Sequence, residues 1–349
     1  MVFTEALLFF VGLVLLLKGS DFFVNSAMRI AKRLGVSEFV IGLTLVALGT
    51  SMPEMGASIA ASIKHQSGIV MGNVLGSNIA NIGLIMGIVA VLWVVKTDRQ
   101  MLKRDGYIML FAAVLFYIFL FNGIVSRIEG FIFLILYVVY VLFVVETTSK
   151  LDHVYRFKDF ITYFFKFSYI RTINRGLTHN NHAGKREQGK STFSKGNILK
   201  ELGIVVLSVI AICYGAKLLV DGAVFFANFF HIPQTFIGLS LIAIGTSLPE
   251  LGVALSAARK GFGNIVVGNV IGSNIANIFL IIGVSSIISP LSVIKSTIFI
   301  SAPFMIFMTL LFLFFMLSRK QLERIEAVIL LLLYGFFLSY MFVYGSKIM

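Results

Sequence analysis

The chain has little with which to build a soluble, cross-linked or metal-clustered protein. It holds one cysteine in 349 residues, so no disulfide framework can form and no thiolate metal cluster can assemble. That residue, Cys213, lies in an apolar run and reads as a core thiol. Charge is scarce, at 13% of residues, and only 16 residues are acidic. There are five prolines and one tryptophan. Trp93 ends an apolar run, as an interfacial anchor does. A basic start is also missing. Glu5 precedes the first apolar run, so that run reads as a membrane span rather than a cleaved leader.

What is present is apolar length. Hydrophobic residues make up 58% of the chain, and the mean hydropathy is +0.96. Runs of this kind require lipid. Each must satisfy its own backbone there, so the runs read as helices. The expected fold is an all-α polytopic membrane protein of ten transmembrane helices. The first five spans fall near 4–30, 38–64, 69–95, 105–122 and 127–149. The second five fall near 199–229, 233–259, 264–289, 296–318 and 324–345. This divides the chain into 1–149, a polar stretch at 150–198, and 199–349.

The two halves repeat one another. Residues 49–87 (GTSMPEMGASIAASIKHQSGIVMGNVLGSNIANIGLIMG) align without a gap to 245–283 (GTSLPELGVALSAARKGFGNIVVGNVIGSNIANIFLIIG), with 23 identities in 39 positions at an offset of 196. At the same offset VIGLTLVALGT (40–50) matches FIGLSLIAIGT (236–246), giving motif regions 40–87 and 236–283. Asn25 falls opposite Asp221, and the likeness fades beyond residue 95. Five spans per half is an odd number, so the second half enters the membrane from the opposite side. The expected arrangement is two inverted five-helix repeats, a pattern that places cation sites between the halves.

The net charge of +13 follows this topology. Of 29 basic residues, 23 lie in the loops after the first, third, fifth, seventh and ninth spans. The basic loops should be cytoplasmic and both termini outside. An integral protein of the cell membrane is expected, and the charge needs no nucleic-acid partner. Within the 150–198 loop, residues 154–177 alternate aromatic and basic side chains, as an amphipathic helix on an anionic leaflet would. A solvated tether without a task is the plain alternative. Residues 178–197 read as a flexible linker, with His179 and His182 solvated and no acidic calcium-binding cluster.

The chemistry lies in the repeated motifs. Pro53 cannot donate an N–H, and its ring crowds the carbonyl of Gly49, so the second span should break there. Gly245 and Pro249 should do the same in the seventh. Ala47, Thr50, Ser51 and Glu54 fall at helical spacing on one face. That face offers backbone carbonyls, two hydroxyls and a carboxylate, all oxygens suited to hard cations. In GNVLGSNIAN, Asn73, Ser77 and Asn81 share a face while Asn78 points elsewhere; the copy supplies Asn269, Ser273 and Asn277. Glycines 72, 76, 83 and 87 leave room for close helix approach. Ser and Asn at mid-span also serve packing, and a protonated structural acid is the alternative for Glu54 and Glu250. An intramembrane carboxylate needs a partner, and a cation or proton is the natural one here. Asp21 and Asp221 are weaker candidates, with Lys18 and Lys217 free to snorkel or pair with them.

GTSMPE…GNVLGSNIAN and GTSLPE…GNVIGSNIAN resemble the two alpha repeats of the cation/calcium antiporter family, in particular prokaryotic sodium/calcium exchangers. The resemblance implies a transporter rather than an enzyme, with no cofactor. It further implies carriage of Na⁺ and Ca²⁺ by alternating access. Carried over, the family's ion ligands fall on Ala47, Thr50, Ser51, Glu54, Ser77 and Asn81, then on Ala243, Thr246, Ser247, Glu250, Ser273 and Asn277. Asn277 resembles the potassium-independent branch, since the potassium-dependent branch has Asp there. Neither Asn81 nor Asn277 is acidic, unlike the calcium/proton branch, which argues against proton coupling without removing it. A cation/proton exchanger using Glu54 and Glu250 as proton carriers, and a passive channel, remain as alternatives.

Overall fold

The computed structural model describes residues 2–34, 37–148, 155–169, 195–229, 245, 247–319 and 321–344. Nearly all of them are helical. A long, mostly apolar stretch that also holds Lys18 and Asp21 gives α1, Val2–Leu34. The next span starts at Ser37, whose hydroxyl caps Val40 N at 3.3 Å, and it is broken. Helices α2 (Glu38–Thr50) and α3 (Met52–Ile63) meet at 45°. Pro53 sits in the first turn of α3, where its missing N–H is not needed. The break therefore falls at Ser51, two residues past Gly49, and Ser51 N still reaches Ala47 O at 3.0 Å.

The chain continues through α4 (Ser67–Leu92), α5 (99–120), α6 (Arg127–Thr148) and a short α7 (Phe157–Phe165). The second half follows with α8 (Lys195–Phe229), α9 (Leu248–Arg259), α10 (Gly263–Ile288), α11 (Thr297–Arg319) and α12 (Arg324–Tyr344). Seven of the described helices are long and apolar enough to cross a membrane, or eight counting the bent pair as one span. The expected span at 105–122 is met by α5, whose uncharged part, Tyr107–Leu120, has 14 residues. That is shorter than the roughly 20 residues a bilayer needs. The expected seventh span is described only in its second part, as α9; residues 230–244 lie outside the described set.

Helices α4 and α10, which carry the GN…GSNIAN motifs, are the most enclosed. Their glycines set the packing. A Cβ on Gly268 would stand 2.5 Å from the Phe39 carbonyl oxygen, and one on Gly42 would stand 2.6 Å from that of Ile265, so α2 crosses α10 backbone to backbone. Helices α1 and α8 run along each other, with Gly215 against the Gly12 carbonyl. Arg29 on α1 pairs with Glu201 on α8 at 2.8 Å.

Two-residue strands clip the ends of the bundle. β1 (Val95–Lys96) pairs antiparallel with β4 (Gln321–Leu322), and β2 (Ile124–Val125) pairs with β3 (Leu291–Ser292). Each pair joins one half to the other. π-turns at Asn81–Met86 and Asn277–Ile282 recur at the 196-residue offset, as do β1 and β3. Part of the aromatic-basic loop is helical: α7 buries Phe160 against Tyr140 and Phe143 of α6. It is thus docked on the bundle, leaving Phe165 and Phe167 exposed. His179 and His182 fall outside the described residues.

Candidate functional site

The break at Ser51 turns α3 so that Glu54, in its first turn, points inward; Glu54 is only 1% exposed. In the second half Ser247 precedes α9, Pro249 occupies its first turn, and Glu250 is 2% exposed. The two carboxylates stand close enough for their charges to act on each other. Among the described residues neither has a Lys or Arg within ion-pairing distance. Two buried carboxylates without a positive partner cost several kcal/mol unless something neutralises them.

The halves are bonded together at this point. Ser51 Oγ donates to Glu250 Oε1 at 3.3 Å, and Thr50 Oγ1 donates to Asn269 Oδ1 at 3.2 Å. Asn81 Nδ2 donates to Asn274 Oδ1 at 2.9 Å, and Asn277 Nδ2 donates to Asn78 Oδ1 at 3.0 Å. The two Asn pairs exchange places under the 196-residue offset. Each amide of Asn81 and Asn277 thus spends an N–H on the opposite half. What remains of these two side chains is oxygen, and of the unpartnered motif atoms among the described residues only Asn269 Nδ2 is a nitrogen. Both oxygens of Glu54, Oε2 of Glu250, Oδ1 of Asn81 and Asn277, and the hydroxyls of Ser77, Ser247 and Ser273 are buried with no hydrogen-bond partner among the described residues. Buried polar atoms are rarely left this way, and a cluster of them signals a ligand.

Of the twelve expected ligands, Ala47, Thr50, Ser51, Glu54, Ser77, Asn81, Ser247, Glu250, Ser273 and Asn277 are all buried. Ala243 and Thr246 lie outside the described residues. Asn78 does not point away from the motif face, as its spacing suggested. It and Asn274 are buried and accept from the Asn277 and Asn81 amides across the interface. Only the identical GSNIAN in both copies hinted at this. Asp21, one of the weaker candidates, pairs with Arg259 and Lys260 of the second half. Among the described residues no three His, Cys, Asp or Glu side chains converge as in a resident metal centre. Hydroxyls, amide oxygens and two carboxylates suit a hard cation held exchangeably.

The family model described as sodium/calcium exchanger protein matches residues 4–146 and 200–343. The chain belongs to the sodium/calcium exchanger family. A relative, the sodium/calcium exchanger MaX1 of Methanosarcina acetivorans, is 51% identical over 98% of this chain and 99% of its own. The inner membrane protein YrbG of Escherichia coli is 34% identical over 81% of this chain and 79% of its own. The solved structure of the sodium-calcium exchanger NCX_Mj, soaked with zero Na⁺ and Ca²⁺, superposes with a TM-score of 0.77 at 31% identity. It covers 98% of this chain and 100% of that one. This exchanger-family member is thus an integral membrane protein with the fold of an ion antiporter.

Proposed function

We propose that this chain exchanges Na⁺ for Ca²⁺ by alternating access, electrogenically and without K⁺. The observation that carries this is the pair of buried carboxylates, Glu54 and Glu250, surrounded by unpartnered oxygens of both motifs. The ligand set is the twelve residues named from the motifs, with Ala47 and Ala243 contributing backbone carbonyls. The remainder of the reading is architectural. Ten spans form two inverted repeats, 1–149 and 199–349, joined by a cytoplasmic loop at 150–198. Both termini face outside the cell membrane. The reciprocal strand pairs and asparagine pairs support that symmetry.

The exchange logic follows from charge. Empty, the site holds two unbalanced carboxylates in a medium that penalises them, so the empty protein switches sides reluctantly. One Ca²⁺ balances both carboxylates. Na⁺ ions use the same oxygens and so cannot be present with Ca²⁺. Shared ligands and a switch that requires occupancy together make exchange obligatory. Moving more Na⁺ charge than the charge on one Ca²⁺ makes the cycle electrogenic.

The test is ⁴⁵Ca²⁺ uptake into proteoliposomes loaded with Na⁺, K⁺ or choline, with and without a pH gradient. Uptake should require internal Na⁺ and ignore internal K⁺. Uptake that follows the pH gradient without Na⁺ would transfer the carboxylates to proton carriage and overturn the reading.

A further inference from the structure

Asp21, on α1, plays no part in the ion site, yet three side chains of the second half converge on it. Its carboxylate accepts from Ser256 Oγ at 2.6 Å and from Arg259 Nη2 at 2.8 Å. Lys260 Nζ lies 3.2 Å from the same carboxylate and donates to the Asp21 carbonyl at 2.9 Å. All three partners lie at the α9 terminus, in or beside a basic loop. Next to this cluster α1 is sealed against α9, the helix of Glu250. A Cβ on Gly252 would lie 2.7 Å from Leu16 Cδ2 and 2.8 Å from Ser20 Oγ.

The corresponding place in the other half is built differently. At the 196-residue offset Asp21 becomes Lys217, Ser256 becomes Ala60, Arg259 becomes Ile63, and Lys260 becomes Lys64. An acid facing two cations is replaced by a base facing a base. Gly252 corresponds to Gly56, which is exposed, and nothing among the described residues lies within 4 Å of a Cβ there. Among the described residues, α1 covers α9 at Gly252 and none covers α3 at Gly56; of these two sides the covered one holds the Asp21 ion cluster.

We propose that Asp21 is a positioning residue of the exchange cycle: its ion cluster with Ser256, Arg259 and Lys260 latches α1 onto the Glu250 helix. It thereby holds the exchanger closed on its basic face. This rests on the inverted-repeat antiporter reading. In the opposite orientation α8 would cover α3 as α1 covers α9 here, bringing Lys217, with Asp221 one turn further on, toward Lys64, where Ala60 and Ile63 replace the Ser256 and Arg259 that bind Asp21. The two orientations are therefore unequal in energy, and the latched one is the more populated.

The latch is tested by thiol labelling in a Cys213→Ala background carrying Ala60→Cys, since Ala60 is exposed while its counterpart Ser256, of cysteine's size, is buried against α1. An impermeant maleimide should label this cysteine readily. Asp21→Asn should slow labelling, by up to about threefold where the two orientations are near balance, the scale of one partly exposed ion cluster. Lys217→Asp, which gives the opposite orientation an acid near Lys64, should slow it in the same direction, and Asp21→Glu should restore the original rate. In proteoliposomes, Asp21→Asn should lower the half-saturating Ca²⁺ concentration at the basic face and raise it at the other face, each by up to about threefold. A merely structural lesion would not split the two faces in opposite directions. Unchanged labelling in both Asp21→Asn and Lys217→Asp would overturn the latch. Labelling needs no transported ion. A shift in labelling without Na⁺-coupled flux in the wild type would therefore leave the latch standing and remove the exchange reading alone.

Discussion

Glu54 and Glu250 are the residues this chain can least easily bury, which is why they locate its function. Replacing either by Gln removes a charge while keeping shape. Glu54→Gln and Glu250→Gln should each cut Ca²⁺ uptake by more than about tenfold, because affinity for a hard divalent ion follows ligand charge. Neither should lower the thermal midpoint in detergent, since a buried uncompensated charge has been removed. Uptake assays and thermal unfolding on the same preparations check both halves of this statement. Asn78 makes a different case. Asn78→Ala leaves Asn277 Nδ2 without its acceptor, at a cost of about 1–3 kcal/mol for a buried donor. The freed amide can turn, so the half-saturating Ca²⁺ concentration should rise by about tenfold or more. The two carboxylates were legible in the sequence because the repeat kept acid, proline and hydroxyls together. The Asn78–Asn277 and Asn274–Asn81 pairs were not, because helical spacing gives the face of a residue but not what the opposite half places against that face.

At the scale of elements, the fold depends on α2 crossing α10 at contact distance. A Cβ on Gly268 would meet the Phe39 carbonyl at 2.5 Å, whereas one on Gly56 meets nothing among the described residues. Gly268→Ala should therefore destabilise by about 1–3 kcal/mol, as overpacking does. Gly56→Ala should stay within about 0.5 kcal/mol of the wild type. Chemical unfolding in detergent separates the two. The break of the second span was readable from Pro53, though the bend settled at Ser51 because a proline is tolerated inside the first turn of a new helix. The repeat beyond residue 95 was not readable. Its strands and π-turns recur at nearly the same offset, but exchange among apolar side chains facing lipid erases identity while leaving element spacing intact. A span at 105–122 and an amphipathic helix within 154–177 were readable, but the shortness of α5 and the docking of α7 on α6 were not, for a related reason. Apolar length alone does not say whether a helix faces lipid or a neighbouring helix.

At the scale of the molecule, the proposed topology divides the charge between two faces. It puts the basic loops, with Arg29, Arg33, Arg259 and Lys260 in ion pairs, on one of them. Protease added to inside-out vesicles should cleave within 150–198, and protease added to right-side-out vesicles should spare it. The reverse pattern would invert the orientation. The central claim is that one set of oxygens serves both ions. It is tested most directly by equilibrium ⁴⁵Ca²⁺ binding to the purified protein during titration with Na⁺, for the wild type, Glu54→Gln and Glu250→Gln. The account predicts saturable binding that Na⁺ displaces and that either substitution removes. Binding that survives both substitutions, or that Na⁺ does not displace, would contradict it.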